Sequence, residues 1–156
     1  MPNRKPLPPE SADYAPVFRV KLVREGRIRP GSIHHPEDAA RLVSAFLRDA
    51  DRETFVLVLL ATNHTVIGLS VVSVGTLSAT LVSPREVFKT ALLANAAALI
   101  VAHNHPSGSL EPSGADVTVT KTLVEAGRVM DVPVHDHLIV GFDGAYTSLK
   151  ERGLMP

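Results

Sequence analysis

His103-Asn104-His105, with Asp116 eleven positions beyond the second histidine, is the set of residues whose types and spacing could do chemistry. The two histidines follow an apolar run, and alternation along an extended backbone sends both imidazoles to the same side of the chain. Asp116 falls in the first turn of a helix opened by Ser113, where unpaired N–H groups and the helix dipole favour a carboxylate. Two imidazoles and one carboxylate leave the fourth corner of a zinc tetrahedron to water, which separates catalytic zinc sites from closed structural ones. The metal would lower the pKa of that water from about 16 toward about 7 and polarise a carbonyl presented to it. A His-x-His pair and a Ser-x-x-Asp capping box are each ordinary alone. Their convergence on a strand end, a Gly/Pro loop and a helix start favours one metal ion per chain. Ligand type and an expected tetrahedral geometry point to zinc, and the same donors also suit iron.

The elements that must position these residues are legible in the periodicity. Residues 36–50 carry Ala39, Leu42, Val43, Phe46 and Leu47 at helical spacing behind a first-turn Pro36. Residues 54–61, 65–74 and 76–82 read as consecutive strands of a meander, with Asn63-His64 as a turn. Ser83-Pro84-Arg85-Glu86 spells an N-cap, a first-turn proline and a capping-box glutamate, ahead of a helix running to about Ala96. Residues 97–102 form a short apolar central strand, and 103–112 a loop rich in Gly and Pro. A helix over 113–125 ends near Gly127, and strands at 138–140 and 146–148 close around Asp143-Gly144. Phe18, Val20 and Leu22 alternate with Arg19, Lys21 and Val23 as an edge strand, and the body begins near residue 32. Five prolines among residues 1–16 make that stretch a flexible arm, leaving 17–156 as one domain. Strands interleaved with three helices give an α/β sandwich around a mixed sheet.

Composition narrows the function classes. The 156 residues carry 16 Lys and Arg against 16 Asp and Glu, so no basic excess marks a nucleic-acid partner. The absence of cysteine excludes disulfides, thiolate metal sites and a cysteine nucleophile. No apolar run approaches a membrane span, and the expected setting is the cytoplasm.

The block His103-Asn104-His105-Pro106-Ser107-Gly108, followed by Pro112-Ser113 and Asp116, resembles the RadC-like branch of the JAB/MPN (JAMM) metallopeptidase superfamily, whose motif is His-x-His-Pro followed by Ser-x-x-Asp. Pro84-Arg85-Glu86-Val87-Phe88, residues 91–98, Leu123-Val124-Glu125-Ala126-Gly127 and Asp136-His137 extend the resemblance from about residue 17 to the end of the sequence. Ser83, His135 and Ala115 depart from the family pattern at positions that are not ligands. The helix-hairpin-helix segment preceding this domain in longer RadC proteins is missing, which removes the main reason to expect DNA binding. The resemblance implies a cytidine-deaminase-like three-layer α/β/α fold, zinc held by His103, His105 and Asp116, and hydrolysis of peptide or isopeptide bonds in a protein substrate.

A zinc hydrolase needs a carboxylate that takes a proton from water and delivers it to the leaving amine. In the superfamily this glutamate lies at the start of the first core strand after the opening helix. Glu53 occupies that place, whereas Glu86 is explained as the reciprocal partner of Ser83. Ser113 resembles the superfamily serine that stabilises the oxyanion, besides being an N-cap. Asn104, pointing away from its neighbours, braces the loop or the substrate. His135 and His137 form a second His-x-His without a carboxylate on their face, and a structural role or one behind the metal ligands is expected, chiefly for His137. His34 and His35 are solvated or capping, and His64 is a turn residue. Competing with the hydrolase is a non-catalytic scaffold binding protein or DNA partners in repair or mobile-element biology. Phosphodiester hydrolysis is a third reading, which the neutral charge disfavours.

Overall fold

The computed structural model describes residues 15–29, 31–75 and 82–156. The expected arm over 1–16 lies outside the described residues except for its last two positions, and so does the strand expected over 76–82 except for a buried Val82. The described elements run α1 (Pro36–Phe46), β1 (Thr54–Leu60), β2 (Val66–Val74), α2 (Pro84–Leu93), β3 (Ala98–Asn104), α3 (Gly114–Met130), β4 (Val134–Val140), a 3-10 turn (Phe142–Gly144) and β5 (Tyr146–Ser148). The strands form one mixed sheet in the order β2-β1-β3-β4-β5, parallel between β3 and β4 and antiparallel elsewhere.

Every residue of β1 is buried, which requires cover on both faces of the sheet. Phe55, Leu57 and Leu59 face α2 and α3, together with Leu99 and Val101 of β3, Val87, Phe88 and Ala91 of α2, and Val119 and Leu123 of α3. Val56, Val58 and Leu60 face the other way, packing with Ile100, Leu138 and the Ala39, Ala40 and Val43 stripe of α1. Alternation along the strand thus divides the apolar residues between two cores, giving the three α/β/α layers. Among the described residues, no helix is long and apolar enough to cross a membrane.

Several bounds differ from the sequence reading: α1 ends at Phe46 and α2 at Leu93, short of residue 50 and Ala96, and β4 begins at Val134 and not at 138. No strand forms at Phe18–Val23. Phe18 is 82% and Val20 68% exposed, because period-two alternation specifies a face but not a ladder partner. The first pairing of the body is instead the bridge Ser32↔Thr65. Helix α3 runs through Gly127 to Met130 and stops at Asp131, which takes the left-handed conformation with φ 56°. Gly127 is there for space: a Cβ would lie 2.7 Å from the Val132 carbonyl oxygen and 3.4 Å from Phe88. Finally, β3 extends through Asn104, so His103 is a strand residue and not the first residue of the loop.

Candidate metal centre

His103 pairs with Phe55 of β1 on one side and Ile139 of β4 on the other, at the C-terminal end of β3. Its ring is fully buried, stacked on Phe55 with centroids 5.9 Å apart. His105 lies one residue beyond the strand, in a turn closed by Gly108 N–H donating to the His105 carbonyl, with Gly108 at φ 79°. Its Nε2 stands 3.0 Å from His103 Nε2, so alternation puts both imidazoles on one side as expected.

Asp116 meets them from the first turn of α3. Ser113 Oγ accepts from Asp116 N–H at 3.1 Å, and Asp116 Oδ2 accepts from Ser113 N–H at 2.7 Å. This reciprocal capping box also aims the carboxylate, with Oδ1 3.2 Å from His103 Nε2 and Oδ2 3.4 Å from His105 Nε2. In the metal-free chain burial would raise the Asp116 carboxyl, but a proton on His103 Nε2 and the Ser113 N–H outweigh it and hold the pKa well below the usual carboxylate range. Glu53, just before β1, brings Oε1 to 3.9 Å from His103 Nε2. Glu53, His103, His105 and Asp116 form a group that could hold a metal ion, each offering one ligand atom within 4.8 Å of the others.

Hydrogen-bond accounting fixes the protons. Thr120 Oγ lies 2.6 Å from the Asp116 carbonyl, which can only accept, so the hydroxyl donates there. It therefore accepts, at 2.5 Å, from a protonated His137 Nδ1. That leaves His137 Nε2 to accept from His103 Nδ1–H at 2.8 Å, and in the neutral imidazole this turns the His103 Nε2 lone pair toward Asp116. His105 Nδ1–H donates to the Ser109 carbonyl at 2.9 Å, which in the neutral imidazole leaves the Nε2 lone pair on the side of His103 and Asp116. With both imidazoles neutral, two lone pairs and a carboxylate converge with no proton between them, an arrangement that a cation satisfies. The His103–His105 edge of 3.0 Å and the His103–Asp116 Oδ1 edge of 3.2 Å lie near the edge of about 3.3 Å that bonds of about 2.0–2.1 Å give around a tetrahedral ion.

The remaining residues fall into place around this group. His137 is buried, its pKa pushed well below 6.5 by burial and then by His103, which keeps it neutral. Asp136 points to the other face, accepting from Ser148 Oγ at 2.6 Å. Glu86 lies outside the group. Ser83 Oγ accepts its N–H at 3.4 Å, but the Glu86 carboxylate pairs with Lys89 at 3.2 Å, so only half of the expected capping box is present. His35 is the N-cap of α1, where Asp38 Oδ2 accepts from the His34 and His35 N–H groups. His64 is a left-handed turn residue with φ 65°. A cleft of about 910 Å³ opens beside His105, bounded by Asn104, Pro106, Arg41 of α1, Arg48 just beyond it, Phe142 and Tyr146. The sequence reading did not find Thr120, although its place one turn after Asp116 on the same helix face was a usable signal.

The chain was then compared with known proteins. A family model described as a RadC-like JAB domain matches residues 33–154. A UPF0758 protein of Moorella thermoacetica is 51% identical over 123 residues, covering 79% of this chain and 53% of the relative. Its counterpart in Desulforamulus reducens is 47% identical over 123 residues, covering 79% of this chain and 54% of the relative. One from Desulforudis audaxviator is 44% identical over 151 residues, covering 94% of this chain and 64% of the relative. The chain spans about half the length of the first two. A family match over most of the chain, with relatives at these identities, establishes that it belongs to the RadC-like JAB domain family.

Proposed function

We propose that the chain is a zinc-dependent hydrolase of amide bonds, peptide or isopeptide, with His103, His105 and Asp116 as zinc ligands and Glu53 as the general base. The observation that carries this reading is the convergence of two Nε2 atoms on the Asp116 carboxylate, with a second carboxylate alongside. When bound, zinc supplies a water of pKa near 7 and polarises the scissile carbonyl, about the chemistry that two imidazoles and one carboxylate leave room for.

The chain's own groups account for the proton traffic. Glu53 Oε1, beside the ligand group, takes the proton of the attacking water and delivers it to the leaving amine. Ser113 Oγ accepts from Asp116 N–H and keeps its own proton to donate to the oxygen where negative charge develops. Phe55 and the buried His137 exclude water behind His103 and strengthen the local electrostatics. The cleft beside His105 gives a chain-like substrate an approach from one side.

The test is a screen of zinc-loaded protein against peptide and isopeptide substrates, with Glu53→Gln as the inactive control. Cleavage by the wild type, with a fall of at least about a hundredfold in the folded, zinc-loaded variant, is the expected result. Equal cleavage by both proteins overturns the role of Glu53, and activity in Glu53→Gln but not in Glu86→Gln moves it to Glu86.

A further inference from the structure

Asn104 stands between the two histidines and directs its side chain away from them, onto the segment that carries Glu53. Its Oδ1 accepts from Thr54 N–H at 2.8 Å and its Nδ2 donates to the Arg52 carbonyl at 3.0 Å. Those backbone groups flank Glu53 on either side, 50 and 52 positions away from Asn104 in sequence. The β1–β3 ladder runs from Leu60↔Ala98 to Phe55↔His103 and ends there. Beyond that pair, the amide of Asn104 supplies the donor and acceptor that the backbone of β3 no longer offers. An amide side chain carries its donor and its acceptor on separate atoms and so serves both backbone groups at once. The Glu53 carbonyl, in turn, accepts from Gly75 N–H at 2.7 Å.

We infer that Asn104 is a positioning residue for Glu53, holding its backbone on both sides so that its carboxylate stays beside the His103–His105–Asp116 group. The inference rests on the reading of Glu53 as the general base. It links the His-x-His strand end to the glutamate by two hydrogen bonds, so the position of Glu53 relative to His103 is set by β3 itself. A side chain held within a fraction of an ångström keeps its proton-transfer distance, whereas a frayed strand start lets the carboxylate wander. Asn104 on this account acts through the backbone on either side of Glu53 and is not a metal ligand.

The experiment compares wild type, Asn104→Ala, Glu53→Gln and the double variant, each loaded with Co2+ in place of zinc. The readouts are the visible absorption spectrum at one neutral pH and amide hydrogen exchange at Thr54. In Asn104→Ala the exchange at Thr54 should quicken by about five- to tenfold, the effect of one lost hydrogen bond. The metal should stay at about one per chain, since all three ligands remain. Its spectrum should move as it does in Glu53→Gln, and the double variant should move no further. If Asn104→Ala does not fold, Asn104→Asp keeps an acceptor for Thr54 and sets a carboxylate oxygen against the Arg52 carbonyl in place of the donor, and the same spectral displacement is expected. A folded Asn104 variant with the wild-type spectrum, while Glu53→Gln is displaced, shows that Asn104 only ends a strand and overturns the inference. Loss of metal from Asn104→Ala overturns it as well, by placing its effect on the ligands. A Glu53→Gln spectrum identical to wild type removes Glu53 from the metal's surroundings and overturns both readings.

Discussion

His103 Nδ1 and His137 Nε2 share a hydrogen bond of 2.8 Å between two fully buried rings on adjacent parallel strands. In the β3–β4 ladder Val101 pairs with His137 and His103 with Ile139, so the two histidines lie diagonally on one face of the sheet. The bond, with Thr120 behind it, fixes the His103 tautomer that presents Nε2 to the carboxylates.

His137→Phe keeps a ring in the core and removes the acceptor. Zinc affinity should fall by about 10- to 100-fold with the fold retained, measured by competition with a chelating dye. Thr120→Val should move affinity in the same direction by less. Unchanged affinity in both variants would mean that the tautomer is set without them.

The pH dependence of the metal-free protein follows from the same ring. Burial and His103 hold His137 neutral in the folded chain, whereas the unfolded chain binds a proton there below 6.5. Stability should therefore fall as the pH drops below 6.5, by up to about 1.4 kcal/mol per unit from this group. His135, lowered by burial, His64 and Lys150, adds to the slope in the same direction. Asp116 extends the loss below its ordinary value of 3.8, because the folded carboxylate resists the proton that the unfolded one accepts. Urea unfolding at a series of pH values checks this, and His137→Phe should flatten the decline just below 6.5.

Gly127→Ala separates helix propensity from packing. In an exposed helix interior the change stabilises by about 1 kcal/mol. Here the new Cβ meets the Val132 carbonyl oxygen at 2.7 Å, and a loss of about 1–3 kcal/mol is expected from urea unfolding. A gain in stability would show that the turn after α3 yields.

Ser113→Ala should split into two measurable effects. Losing the cap costs about 1 kcal/mol of stability. Losing an oxyanion donor should lower kcat on a cleaved substrate by about 10²–10³-fold at unchanged zinc content. A stability loss with full kcat would leave Ser113 as a cap alone.

The candidate ligand group was legible in the sequence because His103, His105 and Asp116 are brought together by local rules: alternation at a strand end and a capping box at a helix start. The layered fold was legible for a similar reason, since β1 reads as a continuous apolar run that needs cover on both faces. What the sequence hid depends on distant neighbours. Glu53 reaches His103 only because β1 pairs with β3, and residues alone did not favour it over a solvated junction residue. Asn104 was read as a brace for a loop or substrate, whereas its partners, Arg52 and Thr54, are long-range backbone groups. Gly127 looked like a helix end because a glycine's need for space and its freedom at positive φ leave the same letter. The alternation of Phe18, Val20 and Leu22 named a face without a partner to pair with.

The most direct test of the central claim is the zinc content of purified wild type beside His105→Ala, both checked for folding by circular dichroism. His105 is the part-exposed ligand, at 16% side-chain exposure, so its removal disturbs the core least. About one zinc per chain in the wild type and almost none in the folded variant is the expected result. A folded wild type that takes up no zinc when it is offered, or a folded His105→Ala that holds as much as the wild type, would contradict a zinc centre at His103, His105 and Asp116.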